Sequence, residues 1–256
     1  MANMIIVAPM AIAAIGASRG DDIANLLSVD PKEVWADSAV GSAATIDIDL
    51  GAVRTLDTIL LGYVHGPAAG ATWAISGGVA GYAETALKAA GPLRVADAAN
   101  QFPAWSHGLW FGAIASVRYI RLTITQPAGF PALMIGALVI GHAFQPALNR
   151  EWGSGRRPID TGTATALPGG GFGIAEGVRK LGFSWTFGDL TEAEVESLEA
   201  IALECGETRP VLVVEDPVAT VGLRNRIHYG KFERFRAFDR RNRKQSRWEL
   251  GVEQWV

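Results

Sequence analysis

Thr45-Ile46-Asp47-Ile48-Asp49-Leu50 alternates without a break, with Ile46, Ile48 and Leu50 on one side and Thr45, Asp47 and Asp49 on the other. Successive side chains of an extended chain point to opposite faces, so period two predicts a strand with one face buried and one in water. Gly51 closes it, and residues 56–61 (LDTILL) follow as a more buried strand. Residues 73–76 (WAIS) give a third. Residues 117–124 alternate again, with Val117, Tyr119, Arg121 and Thr123 opposite Arg118, Ile120, Leu122 and Ile124. The apolar run 133–140 ends this series.

The second half repeats the theme and adds a helix. Along 178–187 (VRKLGFSWTF), Leu181, Phe183, Trp185 and Phe187 share one face. Thr191 is placed to cap a helix and Glu194 to reach back to it, with Leu190 and Val195 as a hydrophobic staple. Val195, Leu198, Ile201, Ala202 and Cys205 form the stripe of a helix over about 191–205, and Gly206 ends it. Residues 210–215 (PVLVVE) return as a strand, and 226–238 and 247–256 are expected to close the sheet as an antiparallel pair. The stretch 150–173, with its glycine run 169–173, is read as a loose connection.

The chain has 256 residues, 49% hydrophobic and 19% charged, values of ordinary globular domains. Thirty glycines and twelve prolines punctuate it into short strands. Residues 1–141 hold 7 Lys+Arg and 10 Asp+Glu, whereas residues 142–256 hold 16 of each. This shift, with Gly141 and Pro146 beside it, predicts two domains, 1–141 and 142–256. The expected fold is mainly β: two β-sandwich domains, the C-terminal one carrying a single long α-helix. The apolar segment 4–17 lacks a basic flank, is interrupted by Pro9 and is too short to span a membrane, so it is read as the first strand of a sandwich.

Catalysis needs convergent groups with tuned proton affinities, and the sequence offers no motif for them. His65, His107, His142 and His228 have no metal-ligand spacing. Cys205, the single cysteine, falls on the buried stripe of the helix, where a core thiol is expected rather than a nucleophile. Asp47 and Asp49 read as solvated positions of a half-buried strand. The glycine run lacks the strand and helix of a phosphate-binding loop. No enzyme, cofactor or metal is therefore expected.

Two features invite an interaction role. The aromatic stretch 105–111 (WSHGLWF), read as part of a long segment 80–117 between strands, offers Trp105, His107 and Trp110 as ligand-binding candidates, since loop aromatics stack on sugar faces or anchor interfaces. Residues 224–247 hold 10 Lys+Arg against 2 Asp+Glu. Within them Arg234, Arg236, Arg240, Arg241, Arg243 and Lys244 are candidates for subunit or partner contact on a hairpin tip. The regular return of Phe232, Phe235 and Phe238 argues against a specific nucleic-acid site.

The order 25–27 (NLL), 35–38 (WADS), 46–51 (IDIDLG), 56–60 (LDTIL), 74–76 (AIS) and 118–122 (RYIRL) resembles a discoidin (coagulation-factor type C) domain over roughly residues 20–141. That resemblance implies a galactose-binding-like sandwich that contacts glycans, lipids or proteins through loops at one end. The later pattern 183–185 (FSW), 191–194 (TEAE), 212–214 (LVV), 228–230 (HYG) and 248–250 (WEL) resembles siphophage minor and distal tail (tail-tip) proteins. It implies a structural component of a bacteriophage tail tip or baseplate, made in the host cytoplasm and found in the virion tail. The implied partners are tube, hub and tape-measure proteins and further copies of the chain, in a six-fold ring first and a three-fold one second. A cell-surface glycan is a further candidate, and a soluble carbohydrate-binding module of an adhesion system is the alternative function.

Overall fold

The structure is a computed structural model describing residues 2–95 and 104–255. Residues 96–103, inside the segment expected between strands, and Val256, the end of the expected closing strand, lie outside the described residues. The first half runs β1 (Ile5–Val7), β2 (Ala14–Ala17), β3 (Trp35–Ala36), β4 (Ala43–His65), β5 (Thr72–Gly78), β6 (Thr85–Pro92), β7 (Trp105–Thr125), β8 (Met134–Ile135) and β9 (Ala137–Gly141). There follow β10 (Gly155–Asp160), β11 (Thr163–Ala166), β12 (Phe172–Ala175), β13 (Arg179–Leu190) and α1 (Glu192–Cys205). The chain closes with β14 (Pro210–Val214), β15 (Ile227–Phe232), β16 (Asp239–Arg240) and β17 (Ser246–Gln254).

The fold is mainly β with one α-helix, as the alternation requires. The first sheet runs β3-β8-β4-β7-β5-β6, with β2 and β9 also on β4. β4 and β7 are long because each serves both layers of a sandwich. Their register shifts between Asp49 and Arg54, where residues 51–55 are all exposed, and pairing resumes beyond the bend. Ile46, Ile48, Trp73, Leu122 and Ile140 meet inside, each at most 1% exposed.

The second sheet runs β1-β14-β15-β17-β13-β10, with β16 on β17. α1 covers one face, where Leu198 meets Phe183, Trp185, Val213 and Phe232. The opposite face, through Ile5, Val7, Leu212 and Tyr229, packs on Leu60, Tyr63 and Val139 of the first sandwich. This apolar seam joins the two halves.

Three expectations need correction. Segment 4–17 does not open the first sandwich as one strand, because Ile5–Val7 pairs with Leu212–Val214 in the second sheet and only Ala14–Ala17 joins β4. Its wholly apolar Ile5-Ile6-Val7 suits a strand buried on both faces, with Ile6 in the core beneath α1 and Ile5 and Val7 in the seam. The aromatic stretch 105–111 is not in a loop; it opens β7. The connection 150–173 is not loose either. It forms a hairpin arm in which β10 pairs β13 and β11 pairs β12, with Gly170 at φ 81 in the turn.

Candidate functional site

The strand character of β7 decides the fate of the aromatic candidates. Alternation sends Trp110 into the core of the first sandwich, while Trp105 turns toward the seam. A bulge in β4 between Leu61 and Val64 brings Tyr63 to the same side, with its backbone at φ 50. Bulges re-aim side chains in this way. Tyr63 packs 5.4 Å from Trp105, and its hydroxyl donates to the Trp255 carbonyl of the second half at 2.7 Å. His107, 2% exposed, accepts from the Tyr63 N–H through Nδ1 at 3.3 Å. Burial pushes the His107 imidazole down to about 3, helped by Arg224 and His228, so the ring is neutral. Trp105, His107 and Trp110 thus share no open surface.

The basic candidates stay at the surface, on the β16–β17 turn and the bulge before it. Arg236 pairs with Glu249 at 2.7 Å, Arg240 with Glu192 of α1 at 2.8 Å, and Arg241 with Glu151 at 3.3 Å. Much of the positive run is therefore met by acids of the same chain. Arg234, Arg243 and Lys244 are exposed and make no ion pair among the described residues.

Asp47 and Asp49 are not simply solvated. Each is held by a two-pronged guanidinium, Asp47 by Arg121 at 2.6 Å on both oxygens and Asp49 by Arg118 at 2.8 and 2.9 Å. The hydrogen bond from Arg118 holds the Asp49 carboxyl down to about 2. Cys205 is buried, and burial raises its thiol to about 11, which suits a core residue. Among the described residues no cluster of three or more His, Cys, Asp or Glu is placed to hold a metal. Nor is any helix there long and apolar enough to cross a membrane.

A buried ionic cluster escaped the sequence reading. Glu215, 7% exposed, meets His228 Nε2 at 2.8 Å, Arg150 Nη2 at 2.9 Å and Arg156 Nε at 2.6 Å. Burial pushes the carboxyl up, but the hydrogen bond from His228 and the Arg156 charge hold it below its ordinary value. His228 is itself pushed down by burial, so Glu215 is the charged member and His228 the neutral donor. The partners lie 13, 59 and 65 positions away, and no local pattern announces them.

Several surfaces stay open among the described residues. The arm is exposed on both faces beyond Asp160, and Trp152 near its base is fully exposed. A groove of about 460 Å³ between β17 and the bulge after β15 is lined by Glu233, Arg234, Arg236 and Glu249. A cleft of about 300 Å³ opens at the seam between Met10, Ile12, Leu26, Leu27, Val29 and Tyr229.

No protein-family model matches the chain. No curated protein matches it. Solved structures resemble about half of it. One is a selenomethionine-labelled mutant of chitosan-binding module 1 from a chitosanase/glucanase of Paenibacillus sp. IK-5 (11% identity, TM-score 0.41, 52% of this chain and 97% of that one). Another is the CBM32 of AlyQ in complex with 4,5-unsaturated mannuronic acid (21% identity, TM-score 0.38, 53% and 98%). A third is CpGH89CBM32-6 produced by Clostridium perfringens (13% identity, TM-score 0.38, 50% and 92%).

Proposed function

We propose that this chain is a non-catalytic assembly protein that works as an oligomer, a structural component of a bacteriophage tail tip or baseplate. One observation carries the assembly reading. The chain exposes 12684 Å², whereas a globular monomer of its 27.2 kDa is expected to expose roughly 10,900 Å². A standard interface removes roughly 800 Å² from each partner, so the difference is of the size that two such contacts per chain would remove, and the projecting arm contributes to it. The tail-tip setting draws on the resemblance of the second half to siphophage tail proteins. There the sheet with α1 would surround the tail axis, six-fold first and three-fold second, and the first sandwich would face outward. Light scattering on the purified chain should give a defined multiple of its mass, and the chain should sediment with particles. A monomer at every concentration sinks the reading.

A second reading, a glycan-binding module, is favoured by one patch. Tyr82 and Tyr119 meet edge to face at 5.1 Å on the open face of the first sandwich, with Arg121 5.4 Å over Tyr82. Half-exposed rings beside planar guanidinium groups suit stacking on sugars. Retention of a monomer on a sugar column, lost in Tyr82→Ala, would favour it.

A further inference from the structure

The arm and the seam cleft are matched in chemistry and lie on different strands of one sheet. Between Asp160 and Glu176 the arm runs fifteen residues without a charge. Leu167 is 50% exposed, Phe172 68% and Ile174 72%. A two-stranded ribbon with both faces in water is marginally stable by itself, so these apolar groups call for a cover. The lining of the cleft holds no charged side chain, and exposed Leu27 and Val29 stand at its rim. Seating the arm in the groove at Glu233 and Arg236 would instead strip water from charges.

The chain's own arm does not occupy the cleft: no arm residue lines it, and Phe172 and Ile174 stay exposed. The arm grows from β10 and β13 at one edge, and the cleft takes Pro210 of β14 and Tyr229 of β15 near the other. Three to four strand spacings, roughly 14 to 19 Å, separate β10 from those strands. Register places both features at the same end of the strands. Pro210 pairs with Lys231, Lys231 with Glu253, Glu253 with Gly182, and Gly182 with Arg157, three residues before the arm leaves the sheet at Asp160. A second copy set beside the first, edge to edge and without inversion, brings its cleft toward the first copy's arm. The contact joins unlike patches, so it repeats from copy to copy and can close a ring.

We propose that Phe172 and Ile174, which share one face of the arm, seat in the Leu27–Val29 cleft of a second copy of this chain. The proposal rests on the assembly reading above and names the surfaces that carry it. The test uses the full chain and two readouts. In light scattering, Phe172→Asp on the arm and Val29→Arg on the cleft should each reduce the oligomer to a monomer with unchanged circular dichroism. In mild oxidation, a mixture of Ile174→Cys and Val29→Cys chains should give a disulfide-linked dimer that neither variant gives alone, the native Cys205 being buried. An oligomer that survives both charge substitutions, or a mixture that yields no mixed dimer, overturns the arm-in-cleft contact and leaves the assembly reading standing. A wild-type chain that is monomeric throughout a dilution series overturns both.

Discussion

The Arg224 guanidinium lies 3.6 Å from the centroid of the Trp105 ring, and its Nε donates to the Trp105 carbonyl at 3.0 Å. One residue of the second half thus grips one of the first by face and backbone together. A cation over an indole is worth about 0.5–2 kcal/mol, more when water is kept away.

Arg224→Ala should therefore cost about 1–3 kcal/mol, combining the ring contact with a charged hydrogen bond. Arg224→Lys should recover only part of it, because an ammonium cannot lie flat on the ring. Urea unfolding measures both. A loss below about 0.5 kcal/mol, the scale of an ordinary surface change, would show that Trp105 is not held from the second half.

Leu198 is 0% exposed beneath α1, whereas Leu203 on the same helix is 80% exposed. Leu198→Ala should cost about 2–5 kcal/mol and Leu203→Ala under about 0.5. Equal effects in denaturant melts would mean that the helix presents a different face to the sheet.

Stability should fall as the solution is acidified from neutrality. His107 in the folded chain is held at about 3, below its ordinary 6.5, so the unfolded chain takes up the proton first. The contribution is complete above about pH 6.5 and is lost as pH falls toward 3, at no more than about 1.4 kcal/mol per unit. His228, also lowered, adds to the same slope. Glu215 is lowered as well, so its share is present above its ordinary carboxylate range and goes only at more acid pH. Between pH 7 and 5, His107→Gln should flatten the dependence of the urea midpoint. An unchanged slope would mean that another group is responsible.

Arg240 and Glu192 are both exposed, so their pairing at 2.8 Å should be worth little. A double-mutant cycle should give a coupling under about 1 kcal/mol that shrinks with salt. A larger, salt-resistant value would mark this contact as an organising feature of the second half.

Local patterns carried most of the elements. The alternation at Ile46, Ile48 and Leu50 set β4 because a half-buried strand leaves a period-two signature whatever it pairs with. The helix was legible to its ends: Thr191 accepts from the Glu194 N–H at 3.3 Å, the Glu194 carboxylate accepts from the Thr191 N–H at 2.8 Å, and Gly206 follows at φ 55. Caps are contacts between near neighbours, so a few residues determine them.

Partnership between distant segments was not legible. Nothing in Ile5-Ile6-Val7 says that it pairs with Leu212–Val214 rather than opening the first sandwich, since an apolar strand is equally content in either sheet. Trp105 and His107 carry the composition of a binding loop, yet β7 and the Tyr63 bulge turn them into the seam. Arg150, Arg156 and His228 look like ordinary polar residues until Glu215 gathers them. The sequence by itself determined the β character, the helix and the alternating faces, because these depend on contacts a few residues apart. Only the tertiary structure decided which face meets water and which meets the other half, because burial is a property of the whole packed chain.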